Sequence, residues 1–240
     1  MLSHPQKWSI LNNHSTLAPL HYIINSMADH RLPITGFTPT VFVIDDDASV
    51  RKSLSRLLRS LGFEVETFAS AELFLKREPY GGVGCIILDI RMPGLDGIGL
   101  QDQLSKADYS MPIIFITGHG DIPMSVRAMK KGAVDFLPKP FDDEELLQAV
   151  RRAIEKDIQA RAERAEVEQV LERLKLLTPR EHEILRYVIS GMLNKQVGFK
   201  LGIAEKTIKI HRGRIMEKLH VSSVADLVRL AEKAGIKPAN

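Results

Sequence analysis

The stretch Cys85-Ile86-Ile87-Leu88-Asp89-Ile90-Arg91-Met92-Pro93-Gly94-Leu95-Asp96-Gly97 decides the fold. Four apolar residues run into a carboxylate, and a Pro-Gly turn follows. A short continuous apolar run bounded by turn residues reads as a strand buried on both faces. Asp89 then stands at the carboxyl end of a core strand, where open α/β sheets bind ligands. Asp also favours turn starts, so this residue alone leaves capping and chemistry both open.

The flanking sequence repeats the pattern. Val41-Phe42-Val43-Ile44 ends in Asp45-Asp46-Asp47, and Leu54, Leu57, Leu58 and Leu61 then follow at helical spacing up to Gly62. Phe63 to Phe68 alternates as a second strand, and Ala71 to Lys76 is a short helix. After the Asp89 strand come a helix over Gly99 to Lys106, a strand over Pro112 to Thr117 and a helix over Met124 to Lys131. Val134 to Leu137 is the fifth strand, and Asp142 starts a helix with acids in its first turn. Five strands alternating with five helices predict a five-stranded, doubly wound parallel sheet.

The chain of 240 residues has room for two domains. No run of apolar residues reaches membrane-spanning length, and no basic segment leads into an apolar core at the amino terminus, so neither a span nor a secretory signal is expected. The single cysteine, Cys85, excludes an intramolecular disulfide framework and a cysteine-rich zinc site, and the cytosol is the default location. Net charge is +3 but unevenly divided: residues 38–150 carry −5 and residues 173–240 carry +8. The basic part is the one suited to a polyanion. Residues 1–39, with the only tryptophan, Trp8, show no sustained period and read as a poorly ordered extension, within which Met27 is an alternative start. Residues 40–155 form the sheet domain, 156–172 a charged helical linker and 173–240 a second domain. Asp157, Arg161 and Arg164 interrupt any heptad in the linker, which favours a solvated helix over a coiled coil.

In a parallel sheet, the carboxyl ends of strands one, three, four and five gather Asp45, Asp46, Asp89, Thr117 and Lys139. Crowded carboxylates repel, and a hard divalent cation with oxygen preferences is the natural remedy. Such a cation could hold a phosphoryl group against Asp89, the carboxylate attacking phosphorus to give an acyl phosphate. Thr117 supplies a hydrogen bond and Lys139 a point charge. Singly, each residue is more simply a cap, a turn hydroxyl or a surface lysine; their joint arrival at four strand ends favours chemistry.

Here the sequence resembles the receiver domain of two-component response regulators, on the acidic cluster after strand one, Asp-Ile-Arg-Met-Pro-Gly, Ile-Thr-Gly-His-Gly after strand four and Lys-Pro-Phe after strand five. The resemblance covers residues 40–152 and implies the flavodoxin-like fold. It implies that Asp89 is the phosphoacceptor for a sensor histidine kinase. It also implies that Asp46, Asp89 and the backbone carbonyl of Arg91 ligate Mg²⁺ with Asp45 reached through water, that the Lys139-Pro140 bond is cis, and that Phe136 is the switch aromatic.

The last segment reads as four helices. Thr178-Pro179-Arg180-Glu181 is a capping-box start. With Ile208 set inward, Ile215 and Leu219 fall beside it, whereas Lys206, Lys209, Ile210, Gly213, Arg214 and Glu217 face away. An unprotected Ile and a mid-helix Gly suit a major groove better than water, Ile210 against a thymine methyl and Gly213 for close approach. Thr207 and Arg212 flank that face and could reach phosphates. Leu-Thr-Pro-Arg-Glu, Gly-Met-Leu-Asn-Lys-Gln, Lys-Thr-Ile-Lys-Ile-His-Arg and Met-Glu-Lys-Leu resemble the LuxR-type helix-turn-helix domain, which implies that Lys206 to Leu219 is the recognition helix and Ser223 to Lys233 a dimer helix with Leu227, Leu230 and Ala231 as contacts. Gly198-Phe199 departs from the small pair usual there.

Together these readings predict a FixJ-like response regulator: a phosphorylated homodimer that binds promoter DNA and recruits RNA polymerase, as an activator by family habit. The receiver would catalyse only its own phosphoryl transfer and hydrolysis. Two rivals stay open: a Mg²⁺-dependent phosphatase of the haloacid dehalogenase kind, built on Asp45-x-Asp47, and a receiver acting through protein contacts alone.

Overall fold

The computed structural model describes residues 38–107, 109–118 and 122–239. The expected amino-terminal extension with Trp8 and Met27 lies outside these residues, apart from its last two positions, as does the end of the Ile-Thr-Gly-His-Gly motif. Strands β1 (Thr40–Ile44), β2 (Glu64–Phe68), β3 (Gly84–Asp89), β4 (Ile113–Thr117) and β5 (Asp135–Pro138) form one parallel sheet in the order β2-β1-β3-β4-β5. Helices α1 (Ala48–Ser60), α2 (Ala71–Lys76), α3 (Gly97–Lys106), α4 (Ile122–Lys130) and α5 (Asp143–Leu174) alternate with the strands. This is the expected doubly wound sheet.

β1 and β3 are buried along their whole length, because both faces of the sheet are covered. Alternation then splits their residues between two cores. Val41, Val43, Cys85 and Ile87 pack with Leu54 and Leu58 of α1 and with Leu146, Val150 and Ile154 of α5. Phe42, Ile44, Ile86 and Leu88 pack on the other face with Phe74, Leu100, Leu104 and Ala128. β2, at the edge, buries only Val65 fully. Cys85 is fully buried, and burial pushes its thiol well above its ordinary pKa, which keeps it protonated.

The chain divides into two compact units between Ala160 and Arg161, inside α5. The expected solvated character of α5 is wrong at Asp157. That carboxylate is 1% exposed, and its Oδ2 accepts the backbone N–H of Gly84 at 2.9 Å. The first residue of β3 has an amide donor that needs a partner, and Asp157 supplies it.

The second unit holds α6 (Pro179–Ile189), α7 (Asn194–Leu201), α8 (Glu205–Lys218) and α9 (Val224–Lys233). Thr178 and Glu181 form the predicted capping box. Ile184, Leu185, Val188, Val197, Ile208, Ile215 and Leu219 make the core. Leu227 and Leu230 belong to that same core and Ala231 is 1% exposed, so they are not the surface contacts expected of a dimer helix. In so small a unit, the apolar stripe of α9 is needed to close its own interior.

Candidate functional site

Strand register assembles the first site. Ile44 pairs with Leu88, Asp89 with Ile116 and Thr117 with Pro138, so Asp45, Asp89, Thr117 and Lys139 emerge at neighbouring carboxyl ends. Asp45, Asp89 and Thr117 are 1%, 5% and 1% exposed. The ammonium of Lys139 lies 2.7 Å from Asp45 Oδ2 and 2.9 Å from Asp89 Oδ1. The remaining oxygens take backbone donors: Asp47 N–H to Asp45 Oδ1 and Arg91 N–H to Asp89 Oδ2, each at 2.8 Å. The Lys139-Pro140 bond is cis.

Burial raises the pKa of Asp89 against the opposing pull of Lys139. For Lys139, burial disfavours the charge, but its bonds to Asp45 and Asp89 outweigh it and hold the ammonium protonated. The site therefore contains a fixed cation between two buried carboxylates.

Asp46 and Arg91 are both exposed, in the loops that follow β1 and β3. Among the described residues, no three Asp, Glu, His or Cys side chains converge as a ready metal cluster. Lys139 lies between Asp45 and Asp89, within bonding distance of both. The donor chemistry nevertheless suits a hard divalent cation. Three carboxylates stand against one ammonium, and Asp46, Asp89 and the Arg91 carbonyl are all oxygen donors.

Arg51 was not foreseen. Its guanidinium donates to the carbonyls of Asp45 at 2.7 Å and Asp46 at 2.9 Å, holding the acidic loop. A cation in the first turn of α1 opposes the helix dipole, and that anomaly was its signal in the sequence. Phe136 is partly buried, opposite Phe115 in register, against the core that α3 and α4 share.

In the second unit, α8 turns Ile208 and Ile215 inward and leaves Lys206, Thr207, Lys209, Gly213 and Arg214 exposed, with Ile210 at 48%. Arg212 is the exception among the expected contacts: it is half-buried and donates to Asn194 Oδ1 on α7 at 3.2 Å. A Cβ on Gly213 would meet nothing within 4 Å, so no neighbour inside the protein requires glycine there. Gly198 is the opposite case, since its Cβ would lie 2.7 Å from the carbonyl oxygen of Ile203. The unusual Gly198 thus lets α7 approach the turn before α8 more closely than alanine allows.

Residues 41–151 match the family model of the response regulator receiver domain, and residues 175–231 match that of the bacterial regulatory proteins of the luxR family. Nodulation protein W of Bradyrhizobium diazoefficiens is 49% identical over 196 residues, covering 82% of this chain and 86% of that one. The transcriptional regulatory protein FixJ of the same organism is 42% identical over 196 residues, covering 82% and 96%. The solved structure of the response regulator StyR superposes with a TM-score of 0.71 at 52% identity, covering 82% of this chain and 99% of that one. The chain belongs to the two-component response regulators.

As a response regulator with a LuxR-type domain, it is a DNA-binding transcription regulator, and the receiver site and α8 are its two chemically distinct surfaces. The phosphatase rival fails on this ground. Receivers of this family generally bind Mg²⁺ at the phosphorylation site. A sensor histidine kinase and DNA are the partners that the two domains imply. Among the described residues, no helix is long and apolar enough to cross a membrane.

Proposed function

We propose that Asp89 accepts a phosphoryl group from a sensor histidine kinase and that the modified receiver licenses promoter binding through α8. The observation that carries this reading is the Lys139 ammonium bridging buried Asp45 and Asp89 beside Thr117. An Asp89 oxygen attacks phosphorus, the bond to the donor histidine nitrogen breaks, and an acyl phosphate results. Lys139, already charged, and the Thr117 hydroxyl stabilise the transferring oxygens. Asp46, Asp89 and the Arg91 carbonyl would hold Mg²⁺, with Asp45 reached through water. When bound, the ion neutralises charge on the phosphoryl oxygens.

Thr117 then moves toward the phosphoryl oxygens, and Phe136 turns into the space released. The phosphoryl group favours a pre-existing active state of the β5 surface, which dimerises. Lys206, Thr207, Lys209, Ile210, Gly213 and Arg214 meet the DNA, with Arg212 steadying α7 and α8 and able to reach a phosphate. The regulator works in the cytosol as an activator that engages RNA polymerase, and its only catalysis is on its own acyl phosphate.

Intact mass after incubation with Mg²⁺ and acetyl phosphate tests the reading. Wild type gains one base-labile phosphoryl adduct and Asp89→Asn gains none. Equal labelling of both, or of neither, overturns it.

A further inference from the structure

The loop 90–96 that follows Asp89 is fixed at its ends from within. Arg91 N–H reaches Asp89 Oδ2 at 2.8 Å, Gly97 N–H reaches the Ile90 carbonyl at 2.9 Å, and Gly99 N–H reaches Asp96 Oδ1 at 2.6 Å. The approach to its carboxyl end is also held from outside: Leu95 N–H donates to Glu72 Oε1 at 2.8 Å. Glu72 stands in the first turn of α2, capped by Ser70. At Gly94, φ is +79°, and a Cβ would lie 2.7 Å from the same Glu72 Oε1. The carboxylate therefore occupies the space that the glycine leaves open. The bonds from Leu95 N–H and the Ser70 hydroxyl favour the ionised carboxyl, which makes the hold on Leu95 charge-assisted.

We propose that Glu72 is a positioning residue for the reaction at Asp89: by anchoring Leu95 it fixes the loop that carries the Arg91 carbonyl, and so sets the affinity for Mg²⁺. This rests on the assignment of Asp89 and Arg91 made above. Mg²⁺ demands near-ideal octahedral geometry, so a carbonyl donor on a loop that has lost this outside anchor holds the ion less well. Supporting groups outside the ligand set commonly tune metal affinity by ten- to a hundredfold. Glu72 is exposed and acts through one hydrogen bond, so an effect of roughly three- to tenfold is expected.

The experiment uses the full-length chain as wild type, Glu72→Ala and Glu72→Gln, with MgCl₂ titrated by calorimetry, acetyl-phosphate labelling followed by mass, and amide exchange read at Leu95 by NMR. Glu72→Ala should bind Mg²⁺ roughly three- to tenfold more weakly and exchange Leu95 faster. Its labelling should be slow at low Mg²⁺ and match wild type at saturation, with a thermal midpoint within about 2 °C of wild type. Glu72→Gln keeps a carbonyl oxygen for Leu95 and should retain most of the affinity. Unchanged affinity in Glu72→Ala overturns the proposal, as does equal weakening in both variants, which would assign the effect to charge and not to the anchor. A wild type that binds no Mg²⁺ and takes no phosphoryl group removes the Asp89 reading and this one with it, an outcome distinct from the other two.

Discussion

The backbone N–H of Lys139 donates to the carbonyl oxygen of Thr117 across 2.6 Å. The two groups assigned to the phosphoryl oxygens are therefore tied by one main-chain bond, and β4 and β5 cannot part at this end without moving both. The Lys139 side chain then spans to Asp45 and Asp89.

Lys139→Ala leaves two carboxylates buried at adjacent strand ends with no cation between them. Breaking such a pair is costly, and the Lys139 side chain is a quarter exposed, so a loss of roughly 2 kcal/mol is expected. Added Mg²⁺ should restore more of the thermal midpoint in this variant than it adds to wild type. A midpoint that neither falls nor responds to Mg²⁺ counts against the arrangement.

Asp89→Asn should stabilise the receiver at neutral pH. Burial, only partly offset by Lys139, raises the Asp89 carboxyl above its ordinary 3.8. The folded state then binds the proton more tightly than the unfolded state. The carboxylate costs stability once pH exceeds 3.8, and the full cost is present above the folded value. Urea unfolding should find Asp89→Asn the more stable of the two at pH 7. That advantage should shrink as pH falls toward 3.8, and a gap that widens on acidification would contradict the account.

Glu181 closes the α6 capping box and also meets Lys218 Nζ at 2.7 Å, with its side chain only 3% exposed. Burial alone would raise its pKa, but the Lys218 ammonium and the Thr178 donors overcome burial and hold it below its ordinary 4.5. Its contribution is present above pH 4.5 and is lost as pH falls through the lower folded value. Glu181→Gln should cost roughly 2 kcal/mol at pH 7 and flatten the acid limb of the second unit's unfolding, followed by circular dichroism. An acid limb identical to wild type would assign that limb to other groups.

Substitutions at two glycines should separate folding from DNA recognition. Gly213→Ala fills open space in mid-helix and should stabilise the free protein by about 0.5–1 kcal/mol while weakening promoter binding. Gly198→Ala drives a methyl toward the Ile203 carbonyl and should destabilise by roughly 1–3 kcal/mol. Promoter titration at fixed salt, beside thermal unfolding, reads both quantities. If Gly213→Ala gains stability and binds DNA unchanged, α8 does not approach DNA at that position.

The sheet was legible because burial on both faces leaves an uninterrupted apolar run, as in β1 and β3, with turn residues marking where it stops. Asp45, Asp89, Thr117 and Lys139 were legible because strand ends can be counted. Glu72 acts on a backbone atom of another segment, an act that leaves no pattern in its own neighbourhood, and Arg51 left only a cation out of place in a helix's first turn. Asp157 escaped for a related reason: among charged neighbours it read as a solvated side chain, and only the fold brings it to Gly84. Leu227 and Leu230 were expected as dimer contacts, and an apolar stripe does not say whether it faces its own chain or another.

The receiver match stops at residue 151, six positions short of the Asp157 carboxylate that satisfies the amide of Gly84. Excising or transplanting the receiver at the edge of the family match would remove that acceptor and open the amino end of β3, the strand whose other end carries Asp89. The seam for exchanging modules between regulators of this kind therefore lies within α5, beyond Asp157. Grafts joined there keep the sensing half whole, and those joined earlier begin with a damaged strand.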